Sequence, residues 1–199
     1  MYRTIEQAVA ILEGGGVIAA PTETFYGLSG KAIDSAVVDR IFALKERAGS
    51  KALPVIAGDL AAVEAAFDCP PEARAAMTQF WPGPLTLVLR PRGAGLMHLR
   101  ADNGTVAVRV SPNPIISELA RRAGGLVTST SANLSGGPPV SRPDDLDSRI
   151  LAGVDGVVDG GKTPGGLAST IAEWRGGDWV VHREGPISLA ELRERVVNP

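Results

Sequence analysis

TIEQAVAILEGGGVIAAP (residues 4–21) sets a helix directly before a strand. Thr4-Ile-Glu-Gln7 has the form of a capping box, and Ile5, Ala8, Val9 and Leu12 fall on one helical face. Gly14 to Gly16 stop that helix. Val17 to Ala20 then predict a short buried strand, ended by Pro21. The same alternation continues outward. A helix is predicted from about Ser35 to Lys45, with Val37, Val38, Ile41 and Leu44 inward. A strand follows over Leu53 to Ala57, and Asp59 caps a helix through Phe67. Pro71 to Trp81 predicts another helix. Leu85 to Leu89 and Thr105 to Val110 are β-rich runs. Pro114 to Ala123 is helical, Leu126 to Ser129 a strand, and short strands are expected near Val157, Ser169 to Ala172 and Trp179 to His182. Ser188-Leu-Ala-Glu191 opens a last helix with a second capping box. Interleaved strands and helices place the chain in the α/β class. The uneven spacing predicts a mixed sheet, with polar motifs on the loops that leave the strands, where open α/β sheets bind ligands.

The chain has 199 residues, a length that suits a single domain over 1–199. At that length about 70% of the unfolded surface is buried, so a core forms without staples. Hydrophobic residues make up 44% and charged residues 21%, and the net charge is −2. A protein that grips nucleic acid with its whole surface is clearly basic, and this one is not. One cysteine, Cys69, allows no internal disulfide and no Cys-rich metal site, and is expected to act as a small half-buried apolar residue. The N-terminus lacks the apolar run of a signal peptide, and no stretch approaches a membrane span. A cytoplasmic location is expected. Gly (24) and Pro (15) are spread as short loops, which predicts many tight connections.

Gly156-Val-Val-Asp-Gly-Gly161-Lys162-Thr163 matches the P-loop pattern by letter. A P-loop needs a helix starting at its Lys-Thr, whereas Pro164-Gly165-Gly166 follows here. A strand ending in a glycine loop is the better reading. The chain has no His-Glu-x-x-His, no Gly-x-Ser-x-Gly and no Cys pair. His98 and His182 stand alone and read as surface or structural residues.

Four polar segments stand out. The first is Pro21-Thr-Glu-Thr-Phe-Tyr-Gly-Leu28, with three side-chain oxygens on Thr22, Glu23 and Thr24. The second is Lys45-Glu-Arg47, followed by Lys51, at a helix end. The third is Thr105 to Arg109, where a period of two puts Thr105, Ala107 and Arg109 on one face. The fourth is Ser129-Thr-Ser-Ala-Asn-Leu-Ser-Gly136, after a strand. Together they supply what an anion needs: Lys and Arg charge, with Arg able to bind phosphate or carboxylate bidentately, and neutral hydroxyl and amide donors. Singly, each also has a plain reading. Lys-x-Arg at a helix end complements the helix dipole, and a Ser/Asn/Gly run is often only a loop.

In their order and spacing these segments resemble the YrdC-like family of L-threonylcarbamoyladenylate synthases. The resemblance runs from about Gly14 to Gly185. It is carried by PTETFYGL (21–28), IFALKER (41–47), FWPGPLTLVL (80–89), TVAVRV (105–110), STSANLSG (129–136), DGG (159–161), STI (169–171) and REG (183–185). It implies a twisted open mixed sheet with flanking helices around a concave basic cleft. It also implies a nucleotidyltransferase that makes threonylcarbamoyl-AMP and pyrophosphate from L-threonine, bicarbonate and ATP with Mg2+, for the t6A modification of tRNA at position 37. Implied partners are downstream threonylcarbamoyl transferase proteins and a weak tRNA contact, with no membrane.

The resemblance assigns roles by position. Lys45, Arg47, Ser131 and Asn133 look like the catalytic tetrad. Arg47, Lys51, Thr105, Ser131, Pro139 and Arg183 fall where the family contacts ATP. Thr24, Tyr26, Arg109, Ser129 and Ser169 fall where it holds L-threonine. Lys45→Ala and Arg47→Ala are expected to abolish turnover and leave the melting temperature nearly unchanged. The chain departs from the family at Ala48 and Ala52, where prolines are common, and at Ile56, where some members place a threonine-contacting histidine. Two other functions stay open: a paralogue acting on another carboxylated amine, and a non-catalytic RNA-binding or ribosome-maturation factor. An aromatic content of 5% weighs against RNA recognition by stacking.

Overall fold

A computed structural model describes residues 1–46 and 53–197. Seven helices occur among them: α1 (Ile5–Glu13), α2 (Ser35–Leu44), α3 (Leu60–Ala66), α4 (Pro71–Phe80), α5 (Pro114–Arg122), α6 (Ser148–Gly153) and α7 (Leu189–Val197). The strands are β1 (Ile18–Pro21), β2 (Tyr26–Ser29), β3 (Val55–Ala57), β4 (Phe67–Asp68), β5 (Leu85–Pro91), β6 (Val106–Val110), β7 (Leu126–Thr128), β8 (Thr130–Ser131), β9 (Gly156–Val157), β10 (Thr170–Arg175) and β11 (Asp178–Arg183). No described helix is long and apolar enough to cross a membrane.

Local signals place most of these ends. Thr4 accepts from the Gln7 amide while Gln7 returns a bond to the Thr4 amide, which completes the capping box of α1. Ser188 and Glu191 do the same at α7. Asp59 accepts from the Ala62 amide at 2.9 Å and starts α3. Cys69 is half-buried, and burial pushes its thiol pKa up, as suits a structural thiol. Besides the two-residue strands Phe67–Asp68, at the end of the helix expected through Phe67, and Thr130–Ser131, in the expected loop, two larger elements escape the sequence patterns. Tyr26–Ser29 is a fully buried return strand behind the polar letters Thr22 to Thr24. The second is α6, a short helix capped by Asp147.

The strands form two open mixed sheets. The first has the order β8-β2-β1-β9, and the second β11-β10-β5-β6-β3-β7, with β4 also paired to β5. Parallel pairs (β1 with β9, β3 with β6, β5 with β10) sit among antiparallel ones. The chain passes from the second sheet to the first between Thr128 and Thr130, so Ser129 stands at the crossing. One apolar cluster joins the two sheets, through Ala19 and Leu28 of the first and Leu87, Val55 and Val108 of the second. A second cluster packs α1 and α5 against Ile18, Ala20, Ile56 and Val127.

Asp155 fastens α6 to the start of β1. Its carboxylate takes Arg40 Nη1 at 2.7 Å, Arg40 Nη2 at 3.0 Å and the Val17 amide at 2.8 Å. The Arg40 contact, backed by Val17, holds the Asp155 pKa below its ordinary value. A carboxylate with a depressed folded-state pKa stabilises the fold at any pH above its unfolded pKa, about 3.9, and loses that contribution as pH falls through the lower folded value. Both side chains are about 40% exposed, so solvent screens the pair. Asp155→Asn is therefore expected to cost about 1 kcal/mol at neutral pH. Urea melts of both proteins should show that difference shrinking below about pH 4.

Candidate active site

The two sheets leave between them a cleft of about 760 Å³. Its walls come from the β1–β2 turn, the C-terminal end of α2, the crossing segment after β7, the loop 135–139 and the starts of β10 and the end of β11. Of the residues expected from sequence, Lys45, Ser131, Asn133 and Pro139 line it, and so do Thr24, Tyr26, Arg109, Ser129, Ser169 and Arg183. Arg47 and Lys51 lie outside the described residues. Their assignments have no geometry here.

Thr105 is placed elsewhere. It immediately precedes β6 and lies four residues before Arg109, about 13 Å along extended backbone. Only the Arg109 end reaches the cleft. The Thr105 hydroxyl donates to Asn103 Oδ1 at 2.6 Å and lines a separate hollow of about 290 Å³ beside Trp174 and Trp179. Ile56 is fully buried in the second apolar cluster, and Pro54 lines the cleft in its stead. The histidines are structural. His98 Nε2 lies 2.9 Å from the Ala32 carbonyl, and His182 Nε2 lies 2.9 Å from Glu173 Oε2. No helix begins at Lys162-Thr163, so the P-loop letters carry no phosphate cradle.

Lys45 is 4% exposed, at the end of α2. Its ammonium donates to the Ser131 carbonyl at 2.5 Å and to the Asn133 carbonyl at 2.8 Å. The crossing loop is thereby tied to α2. Ser135 adds a second tie, its hydroxyl donating to the Lys45 carbonyl at 2.7 Å. Asn133 Nδ2 donates to the Gly137 carbonyl at 2.6 Å and the Leu134 carbonyl at 2.9 Å. Both partners are acceptors, so the amide nitrogen must face them. Asn133 Oδ1 is then a buried oxygen with no hydrogen-bond partner among the described residues.

The opposite wall gathers hydroxyls and guanidinium groups. Thr22 donates its hydroxyl proton to the Phe25 carbonyl at 2.8 Å. Thr22 Oγ1 also accepts from the Thr24 and Phe25 amides, and the Thr24 hydroxyl lies 3.1 Å from it, with either oxygen able to donate. The Thr24 hydroxyl lines the cleft and can accept from, or donate to, a ligand. Arg183 Nη2 donates to Ser169 Oγ at 3.0 Å and its Nε to the Ser169 carbonyl at 2.9 Å. Burial, and then the nearby Arg109 charge, lower the Arg183 pKa. Arg109 is balanced by Glu23, whereas Arg183 has no carboxylate partner among the described residues, so it is the guanidinium whose charge suits an anion. Tyr26 Oη accepts from the Gly160 amide at 3.1 Å and donates to the Gly161 carbonyl at 2.9 Å, so its hydroxyl serves the glycine loop.

Sequence reading missed the partner of Arg109. Glu23 Oε1 lies 2.8 Å from Arg109 Nε, and Ser111 Oγ donates to Glu23 Oε2. The signal was in PTETFYGL, but the contact spans 86 residues.

Gly185 explains the REG segment. A Cβ there would lie 2.4 Å from the Thr170 amide nitrogen and 2.5 Å from the Ala168 carbonyl oxygen. Those contacts are backbone, so the strand start that carries Ser169 must shift. Gly185→Ala is expected to cost about 1–3 kcal/mol in a denaturant melt, through overpacking.

A two-sheet α/β fold gathers a buried lysine, two arginines and a hydroxyl-rich crossing loop around one cleft, a donor set whose chemistry suits an anion. The Sua5/YciO/YrdC family model, described as telomere recombination, matches residues 10–185. The chain belongs to that family. It is 40% identical over 168 residues to the threonylcarbamoyl-AMP synthase of Stenotrophomonas maltophilia strain K279a, covering 83% of this chain and 89% of that one. It is 36% identical over 201 residues to the threonylcarbamoyl-AMP synthase of Bacillus subtilis strain 168, covering 98% of this chain and 57% of the other. The crystal structure of P. abyssi Sua5 complexed with L-threonine superposes with a TM-score of 0.87 at 30% identity, over 96% of this chain and 57% of Sua5. The chain thus spans a little over half of those two longer relatives.

Proposed function

We propose that the cleft condenses L-threonine, bicarbonate and ATP into threonylcarbamoyl-AMP with release of pyrophosphate, for the t6A modification of tRNA. The observation that carries this reading is the meeting, in one cleft, of the Lys45–Ser131–Asn133 cluster with the Thr24–Arg109–Ser129–Ser169 wall. The names of the relatives and the threonine complex of Sua5 support it.

The threonine amine captures bicarbonate as a carbamate, with loss of water. A carbamate oxygen then attacks the ATP α-phosphorus in line, and pyrophosphate leaves. The protein acts by positioning and by charge. Arg109 takes the amino-acid carboxylate, a pairing that suits a planar guanidinium. Thr24, whose hydroxyl lines the cleft, takes an amine N–H. Arg183 lies next to Ser169 and faces the ground between the two substrates. Lys45 shapes the Ser131–Asn133 loop that receives the phosphates, with Pro139 on its rim.

Mg2+ fits as an ion carried in by the nucleotide. Among the described residues no group of three or more His, Cys, Asp or Glu side chains could hold a metal. Asn133 Oδ1, buried and without a partner, is the kind of hard oxygen such an ion or its water prefers. When bound, the ion would neutralise charge on the triphosphate. Downstream threonylcarbamoyl transferase proteins and a weak tRNA contact complete the proposal.

Purified protein with ATP, Mg2+, bicarbonate and each of several amino acids tests the reading through pyrophosphate release. Dependence on threonine is expected. Release that ignores threonine would overturn it, and release with a different amine would favour a paralogous activity.

A further inference from the structure

We propose that Glu23 is a positioning residue that confines the substrate carboxylate to one edge of the Arg109 guanidinium and so sets which amino acid the cleft accepts. The proposal rests on the reading of Arg109 as the partner of that carboxylate. A guanidinium offers a carboxylate more than one planar edge of paired N–H donors. Glu23 Oε1, 2.8 Å from Nε, occupies the side edge. Its second oxygen is taken by the Ser111 hydroxyl, and Ser111 Oγ in turn accepts from the Asn113 amide at 3.1 Å, at the N-cap of α5. The arginine and glutamate side chains are only 7% and 10% exposed, so water competes little for this arrangement.

The other edge of Arg109 differs. Nη2 makes only a long contact, 3.5 Å to Ser129 Oγ, and Arg109 and Ser129 both line the cleft. A ligand carboxylate therefore meets the Nη end and not the Nε side. With its carboxylate in one register, an amino acid places its amine and its side chain at set points relative to Thr24, Ser129 and Ser169. Glu23 also joins the β1–β2 turn of one sheet to β6 of the other, so the register is referenced to both walls. Without Glu23 the Nε edge opens, a second register becomes available, and both amine alignment and side-chain discrimination suffer.

Steady-state pyrophosphate release with L-threonine, L-serine and L-valine tests this on the wild type, Glu23→Ala, Glu23→Gln and Ser111→Ala. Glu23→Ala is expected to raise KM for threonine about tenfold and to lower the threonine-over-serine preference severalfold, with KM for ATP within about twofold of wild type. Glu23→Gln keeps an oxygen against Nε and should recover most of the preference. An unchanged threonine KM and preference in Glu23→Ala would overturn the proposal, as would an equal rise in both KM values. Should that variant not fold, Ser111→Ala carries the test. It is expected to raise the threonine KM about threefold, and no change would overturn the proposal. Nitrogen-15 NMR supplies a readout free of substrate. An exchange-protected Arg109 Nε–H signal, assigned by its loss in Arg109→Lys, should persist in Glu23→Gln and vanish in Glu23→Ala. Its absence from the wild type sinks the proposal whether or not threonine is the substrate. A wild type inactive with every amino acid but showing that signal sinks the proposed function instead.

Discussion

Lys45→Ala is expected to abolish threonine-dependent pyrophosphate release and also to loosen the fold. The first effect should be about a hundredfold to a thousandfold in kcat, the scale of losing one preorganised charged group from an active site. The second follows from burial. Lys45 is 4% exposed and donates to two carbonyls of the crossing loop, at 2.5 and 2.8 Å. Hydrogen bonds from a charged group contribute about 1.5–3 kcal/mol each, so a loss of about 3 kcal/mol, the lower end of the sum for two, is expected in a urea melt. Sequence alone predicted a nearly unchanged melting temperature, with a large loss of stability pointing instead to a structural role. The geometry reverses that expectation, because this ammonium spends its donors on backbone. Assays at low temperature, with the folded fraction verified by circular dichroism, separate the two effects. A variant that is fully folded and fully active would refute both.

Arg109→Ala should have the largest effect on stability. It leaves the Glu23 carboxylate, 10% exposed, without its counter-charge. Breaking one side of a buried ion pair costs about 3–5 kcal/mol. Removing both charges with apolar residues of similar bulk, as in Arg109→Met with Glu23→Leu, should restore most of that loss, since a buried pair is often replaceable by packing. The double variant is nonetheless expected to be inactive with threonine. A thermodynamic cycle through the two single variants measures the coupling directly. Additive losses would show that the pair, though 2.8 Å apart, adds nothing to stability.

These two side chains show what could be read in advance. The sequence placed Lys45 and Arg109 together through motifs in a particular order, and both line one cleft. Their partners were not recognisable. Lys45 meets residues 86 and 88 positions away, and Arg109 meets Glu23 across the same distance of 86. Thr105, expected beside them, lines a separate hollow. Alternation identifies the face of a strand but not which end of it reaches a ligand. The strand Tyr26–Ser29 was hidden because the polar turn before it dominates the reading of the segment, while its own residues are fully sequestered by neighbours far along the chain.

By itself the sequence determined the features that depend on near neighbours. Helix starts at Thr4, Asp59 and Ser188 are closed by the cap side chain accepting from the backbone amide three residues on, a bond that needs no distant partner. It determined the α/β class through alternating periods, and the family through eight ordered segments. Only the tertiary structure decided that the chain crosses between two sheets at Ser129, that Lys45 braces the loop beyond it, and that Glu23 closes one edge of Arg109. Those outcomes depend on which buried groups find a partner when distant strands pack. Burial makes each unpaired charge costly, so the pairing is strongly selected in the folded state, yet nothing local in the chain announces it.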